Sequence, residues 1–178
     1  HVAYREVISN CLNSYGRFEH VPDPDAEPPT ATLGFLKHIF GDGMISVPHP
    51  KPEVEVAAGR PDTIRVSELD LGLDYIKLLY EKPVQMLPIL CLVSKERGTG
   101  KTTFFDWLQN LFGTNCTQIG AKDLESDFNS HYASKLLIII DEALIGKQDS
   151  VEKMKHLSTA KSIMVNSKGV AQKPQPFF

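Results

Sequence analysis

Ser94-Lys95-Glu96-Arg97-Gly98-Thr99-Gly100-Lys101-Thr102-Thr103 lies between a continuous apolar run, Ile89-Leu90-Cys91-Leu92-Val93, and an amphipathic run, Phe104-Phe105-Asp106-Trp107-Leu108. Strand, glycine-bearing loop and helix, in that order, are what a phosphate-binding loop requires. Backbone N–H groups in the loop and at the helix start then point at the phosphates. In this reading Gly98, Thr99, Gly100, Lys101, Thr102 and Thr103 bind nucleotide. Lys101 neutralises the β- and γ-phosphates, and the Thr102 hydroxyl holds Mg²⁺. The stretch departs from G-x-x-x-x-G-K-[ST] at the first position, which is Lys95, while Gly98 and Gly100 supply flexibility closer to the lysine. A plain strand–helix turn with a solvated lysine leaves unexplained why a lysine and two threonines follow the glycines.

Forty residues after Lys101 a second apolar run, Leu136 to Ile140, leads directly into Asp141-Glu142. The reading makes this run a buried strand beside that of the loop, its acids delivered to the sheet edge where ligands bind. Asp141 would hold Mg²⁺ next to Thr102, and Glu142 would polarise the water that attacks the γ-phosphate. Lys101 and Glu142 are therefore the expected catalytic residues. A strand ending in a solvated acidic turn is the bland alternative for Asp141-Glu142 taken alone.

At 178 residues, with 42% apolar and 23% charged residues, the chain has the composition of one ordinary globular α/β domain. No apolar run reaches transmembrane length and no signal-peptide pattern opens the sequence, so a cytoplasmic setting without membrane contact is expected. The chain opens on His1 rather than Met, which suggests a piece of a longer protein. Cys11, Cys91 and Cys116 lack metal-ligand spacing, and an odd, scattered set suits a reducing compartment. The net charge of −3 argues against a uniformly basic nucleic-acid binder. Its distribution is uneven: Lys153, Lys155, Lys161, Lys168 and Lys173 close the chain with no acid among them, leaving −8 over residues 1–152.

Along the chain, residues 1–16 read as a helix end. Eight of the twelve prolines fall between Pro22 and Pro61, so residues 17–67 read as a linker or long irregular loop. A short helix over 32–40 interrupts it. Leu69, Leu73, Ile76 and Tyr80 predict a helix over 68–81. A strand over 88–93, the loop, and a helix over about 101–112 ended by Gly113 follow. Next come a short strand at Gln118-Ile119, a helix over Lys122–Tyr132 with Leu124, Phe128 and Tyr132 inward, and the strand 135–140. A helix over Val151–Leu157, a strand over Ser162–Val165 and a turn at Ser167-Lys168-Gly169 complete the pass. The division is drawn between an N-terminal segment, 1–67, and a partial P-loop core, 68–178.

Residues spread over most of this sequence resemble the ATPase domain of superfamily 3 helicases, in the phage- and plasmid-type primase–helicase branch. They are Leu73-Asp74-Tyr75-Ile76, Pro83, Leu87-Pro88-Ile89-Leu90, Arg97 to Thr103, Phe112-Gly113-Thr114-Asn115, Phe128-Asn129, Ile139-Ile140-Asp141-Glu142, and Lys168-Gly169, Lys173 and Pro176. The resemblance implies an AAA+-like P-loop NTPase, a three-layer sandwich with a mainly parallel sheet, working as a hexameric ring on DNA with ATP and Mg²⁺. It implies a β-hairpin with Ile163–Val165 as first strand, Lys168 at the tip and Lys173 on the return, both lysines contacting single- or double-stranded DNA phosphates. The setting it implies is a bacterial or phage-infected cell.

Three departures qualify that expectation. Lys95 replaces a glycine, no sensor strand follows the hairpin, and no arginine follows Arg97 to act as a finger. A sensor strand would lie between the two strands of the site. Its absence predicts a continuing source protein, a substitute such as Lys173–Phe178, or a distorted sheet. The isolated chain is expected to bind nucleotide with little turnover. Two other readings stay open: an NTPase that loads, packages or remodels without unwinding, and a degenerate nucleotide-binding module. In the last, Glu142→Gln leaves function untouched.

Overall fold

The computed structural model describes residues 7–8, 11–12, 15–21, 23–27, 29–82, 85, 87–140 and 148–176. Asp141 and Glu142 lie outside these residues. The architecture is mixed α/β, and the chain divides into two compact units, 22–80 and 1–21 with 81–178. The sequence division at 67/68 thus differs from the observed one, which places the helix of residues 68–81 almost wholly with the proline-rich segment.

In the first unit α1 (Thr30–Phe40) is followed by β3 (Met44–Pro48), α2 (Pro52–Ala57), β4 (Thr63–Ser67) and α3 (Glu68–Glu81); β1 and β2 precede them in the other unit. Gly41, at φ 104°, ends α1 in a conformation only glycine adopts readily. Where the sequence reading expected a linker, β3 and β4 pair antiparallel with Met44 opposite Ser67 and Pro48 opposite Thr63. The prolines do not prevent this. Pro48 ends a strand and Pro52 opens a helix, positions where a missing N–H is tolerated. Leu36 and Ile76 form the buried centre. Gly72 lets α3 pass Phe40 of α1, since a Cβ there would lie 2.3 Å from the ring.

In the second unit β1 (Val7–Ile8) and β2 (Cys11–Leu12) form a small antiparallel ladder in place of the expected helix end. The helix α4 (Lys101–Phe112) runs into a 3-10 turn (Gly113–Asn115). It is followed by β5 (Cys116–Ile119), α5 (Ala121–Glu125), β6 (Leu137–Ile140), α6 (Gln148–Thr159), β7 (Ser162–Val165) and β8 (Lys173–Pro176). β5 and β6 pair in parallel, Cys116 opposite Leu137 and Ile119 opposite Ile140. Ile119, Leu124, Tyr132, Ala133 and Ile163 form the core around them, with Ile138, Ile140, Met154 and Leu157 against it.

Four expectations are corrected here. No strand forms over 88–93: Ile89, Leu90 and Val93 are 58%, 38% and 84% exposed, and the run is joined to no sheet. A strand of that composition needs both of its faces covered, and no element among the described residues covers this run. The described strands accordingly form four two-stranded sheets rather than one mainly parallel sheet. Nor does Lys173–Pro176 occupy a slot beside β6, since it pairs with β7. The predicted helix 122–132 stops at Glu125, because Ser126 turns extended (ψ 148°). Phe128 is therefore 46% exposed rather than buried.

Candidate functional site

The site is built on α4. Phe104, Leu108 and Phe112 recur at i, i+4 and i+8 and are 0%, 4% and 2% exposed, which fixes the helix along one face. Trp107 stacks on Phe104 at 5.9 Å, and Phe18 meets Phe112 edge-on at 5.6 Å. The N-cap is Gly100 in the left-handed region (φ 85°), and its carbonyl accepts the first helical bond from the Phe104 N–H at 2.9 Å. Gly98, at φ 70°, is the second left-handed residue. No side chain caps the helix start and no acid lies in its first turn. Its positive end and the N–H groups of Thr102 and Thr103 are in the arrangement that takes an anion.

Side chains at a helix start lean back over the preceding turn, and Lys101 does so. Its ammonium donates to Ser94 Oγ and, at 3.1 Å, to Thr99 Oγ1. Ser94 Oγ in turn donates to the Glu96 carbonyl at 2.8 Å and lies 3.0 Å from Thr99 Oγ1. The loop is thus closed by side chains where its first glycine is missing. Gly98, Thr99, Gly100, Lys101, Thr102 and Thr103 come together as the sequence placed them, with Thr102 and Thr103 exposed. Ser94 had no assigned role in the sequence reading. A hydroxyl just before the missing glycine was its one visible sign.

Of the metal ligands expected, Thr102 stands in the first turn of α4, while Asp141, like the expected catalytic Glu142, lies outside the described residues. Among the described residues no cluster of three or more His, Cys, Asp or Glu forms a metal site. A lysine, two hydroxyls and an uncapped helix end fit a phosphate group. Burial pushes the Cys116 thiol up to about 11 against the pull of Lys135, which leaves it inert as a nucleophile.

The basic hairpin has the expected form. β7 and β8 are antiparallel with Val165 opposite Lys173. The connection turns at 167–170, where the Val170 N–H reaches the Ser167 carbonyl at 3.2 Å and Gly169 has φ 76°. Lys168 and Lys173 are exposed on it. Two asparagines absent from the predicted site anchor the base. Asn129 Nδ2 donates to the Met164 carbonyl (2.8 Å), the Asn166 N–H to Asn129 Oδ1 (2.8 Å), and Asn166 Nδ2 to the Asp127 carbonyl (3.0 Å). Two lysines of the tail are engaged within the protein. Lys153 caps α5 through the carbonyls of Glu125 and Ser126, and Lys155 pairs with Glu152 at 3.0 Å. No helix among the described residues is long and apolar enough to cross a membrane.

Residues 92–178 match a family of unknown function, DUF5906. No curated protein matches the chain. The fold is similar to that of the NrS-1 C-terminal region. The apo structure of its residues 305–718 aligns with a TM-score of 0.64 at 17% identity, covering 86% of this chain and 33% of that one. The A form apo structure of the same region gives 0.51 at 16% identity, covering 88% and 34%. The chain therefore spans about a third of the length of these solved structures, and at such identity what it shares with them is the fold.

Proposed function

We propose that this chain carries the nucleotide-binding part of an ATP-driven DNA motor of the primase–helicase type, a P-loop NTPase of AAA+-like, three-layer design. The observation that carries the reading is the Lys101 ammonium, gathered by two hydroxyls over the uncapped N-terminus of α4. Lys101 and the amides of 100–103 would bind the β- and γ-phosphates of ATP. Thr102 and Asp141 would hold Mg²⁺, whose charge would offset that of the phosphates. Glu142 would accept a proton from the attacking water as the γ-phosphoryl group passes to it and ADP leaves. Catalysis of this kind is mostly positioning and charge neutralisation, and neighbouring subunits of a ring would supply an arginine finger.

In the same reading the β7–β8 hairpin is the DNA-contacting element, with Lys168 and Lys173 on backbone phosphates. Lysines suit sequence-independent contact, which a translocating motor needs. The Asn129–Asn166 anchor gives the hairpin a fixed base. Replacing Lys168 and Lys173 together by alanine is expected to weaken single-stranded DNA binding about tenfold near physiological salt. The slope of log affinity against log salt, measured by fluorescence anisotropy, should shrink by about 0.7 for each DNA phosphate that is no longer neutralised. Unchanged affinity and slope would remove the hairpin from the DNA path. Affinity for Mg·ATP should not change, because neither lysine belongs to the loop.

A further inference from the structure

We propose that Ser94 is a positioning residue of the nucleotide site, holding the Lys101 ammonium over the loop before nucleotide arrives. The proposal rests on the reading of 94–103 as a phosphate-binding loop. Ser94 Oγ uses all of its hydrogen-bonding capacity inside that loop. It donates to the Glu96 carbonyl at 2.8 Å and is left with two acceptor positions. Lys101 fills one, and the Thr99 hydroxyl, 3.0 Å away, fills the other. Thr99 Oγ1 then accepts from the same ammonium at 3.1 Å. Two hydroxyls, Ser94 and Thr99, thus converge on the Lys101 ammonium, with the serine at the centre of the three.

The consequence lies in the geometry of the ammonium. A lysine side chain is a flexible stem that ordinarily scatters its charge over many rotamers. Here two of its three N–H groups are taken by Ser94 and Thr99, and one is left, among the described residues, for a ligand oxygen. A lysine fixed in advance loses less freedom on binding than a mobile one. Lys95, next to Ser94, cannot take this role, since its ammonium carries no acceptor. A purely structural serine would brace the turn at 94–96 and have no effect on phosphate binding beyond that of loosening the loop.

Calorimetric titration of the chain with Mg·ATP separates these cases. Ser94→Ala should raise Kd about tenfold, the size expected when a long side chain must be ordered on binding instead of beforehand. Ser94→Thr keeps the hydroxyl and should stay within about twofold of the parent. The thermal midpoint of the nucleotide-free protein should be the same in all three, since Ser94 is exposed. Ser94→Ala within twofold of the parent, while Lys101→Ala loses binding, overturns the proposal and leaves the site standing. Failure of Ser94→Thr to restore affinity also overturns it, because the effect would then follow shape and not the hydroxyl. Unchanged binding in Lys101→Ala overturns the site itself.

Discussion

Lys101→Ala should lower the affinity for Mg·ATP by about a hundredfold or more. A charge-assisted bond from an ammonium to a phosphate oxygen contributes about 1.5–3 kcal/mol, and about 2.7 kcal/mol is a hundredfold in Kd. Lys95 and Arg97 are exposed and make no hydrogen bond to the Ser94–Thr99 pair that gathers Lys101, so neither is expected to replace it. Lys101→Arg should not restore binding: a planar guanidinium does not fit the place where a compact ammonium meets two hydroxyls. The nucleotide-free fold should hold. A cation at a helix N-terminus opposes the helix dipole, so removing it costs the helix nothing. Thermal scans should therefore show an unchanged midpoint without nucleotide, and loss of the upward shift that Mg·ATP gives the parent chain.

Asn115→Ala should destabilise the second unit by about 3 kcal/mol, lowering its thermal midpoint by roughly 6–12 °C. Asn115 is only 2% exposed, and its side-chain amide pairs with the N–H and C=O of one residue as a strand neighbour would. Its Oδ1 accepts from the Gly16 N–H at 2.7 Å and its Nδ2 donates to the Gly16 carbonyl at 2.8 Å. Its own carbonyl accepts from the Leu136 N–H at 2.9 Å, so the residue joins the N-terminal segment at Gly16, the end of α4 and the approach to β6. Alanine leaves both Gly16 groups without their partner in a half-buried place, and that loss is the larger part of the cost. Gly16 itself is held close, since a Cβ there would lie 2.3 Å from Thr114 Oγ1. Nearby, His20 Nε2 lies 3.1 Å from the Asn110 carbonyl, a second tie between this segment and α4. Urea unfolding followed by Trp107 fluorescence reads the effect directly, because Trp107 sits on α4.

What the sequence made legible follows from where its signals are local. α4 was readable from Gly100 at one end, Gly113 at the other and an apolar stripe between, and it forms over Lys101–Phe112. β7 and its turn were readable from four strand-forming residues before Ser167-Lys168-Gly169. The run 88–93 misled because continuous apolar character states that a segment can be buried, not which neighbours will bury it. The β3–β4 hairpin was hidden by prolines that sit at element ends, although Met44-Ile45-Ser46-Val47 alternates in exposure as a strand should. Ser94, Asn129 and Asn166 were illegible for another reason. Their hydrogen bonds join residues 2 to 39 positions apart through loops, and no periodicity announces such contacts.

A crystal structure of the chain grown with Mg²⁺ and a non-hydrolysable ATP analogue would show where nucleotide binds. The β- and γ-phosphates are expected at the N-terminus of α4, on the amides of 100–103, with the Lys101 ammonium on a phosphate oxygen. Thr102 should face the metal. A nucleotide bound elsewhere on the chain, or a loop that excludes phosphate at saturating analogue with Lys101 still closed on Ser94 and Thr99, would contradict the phosphate-binding role of 94–103.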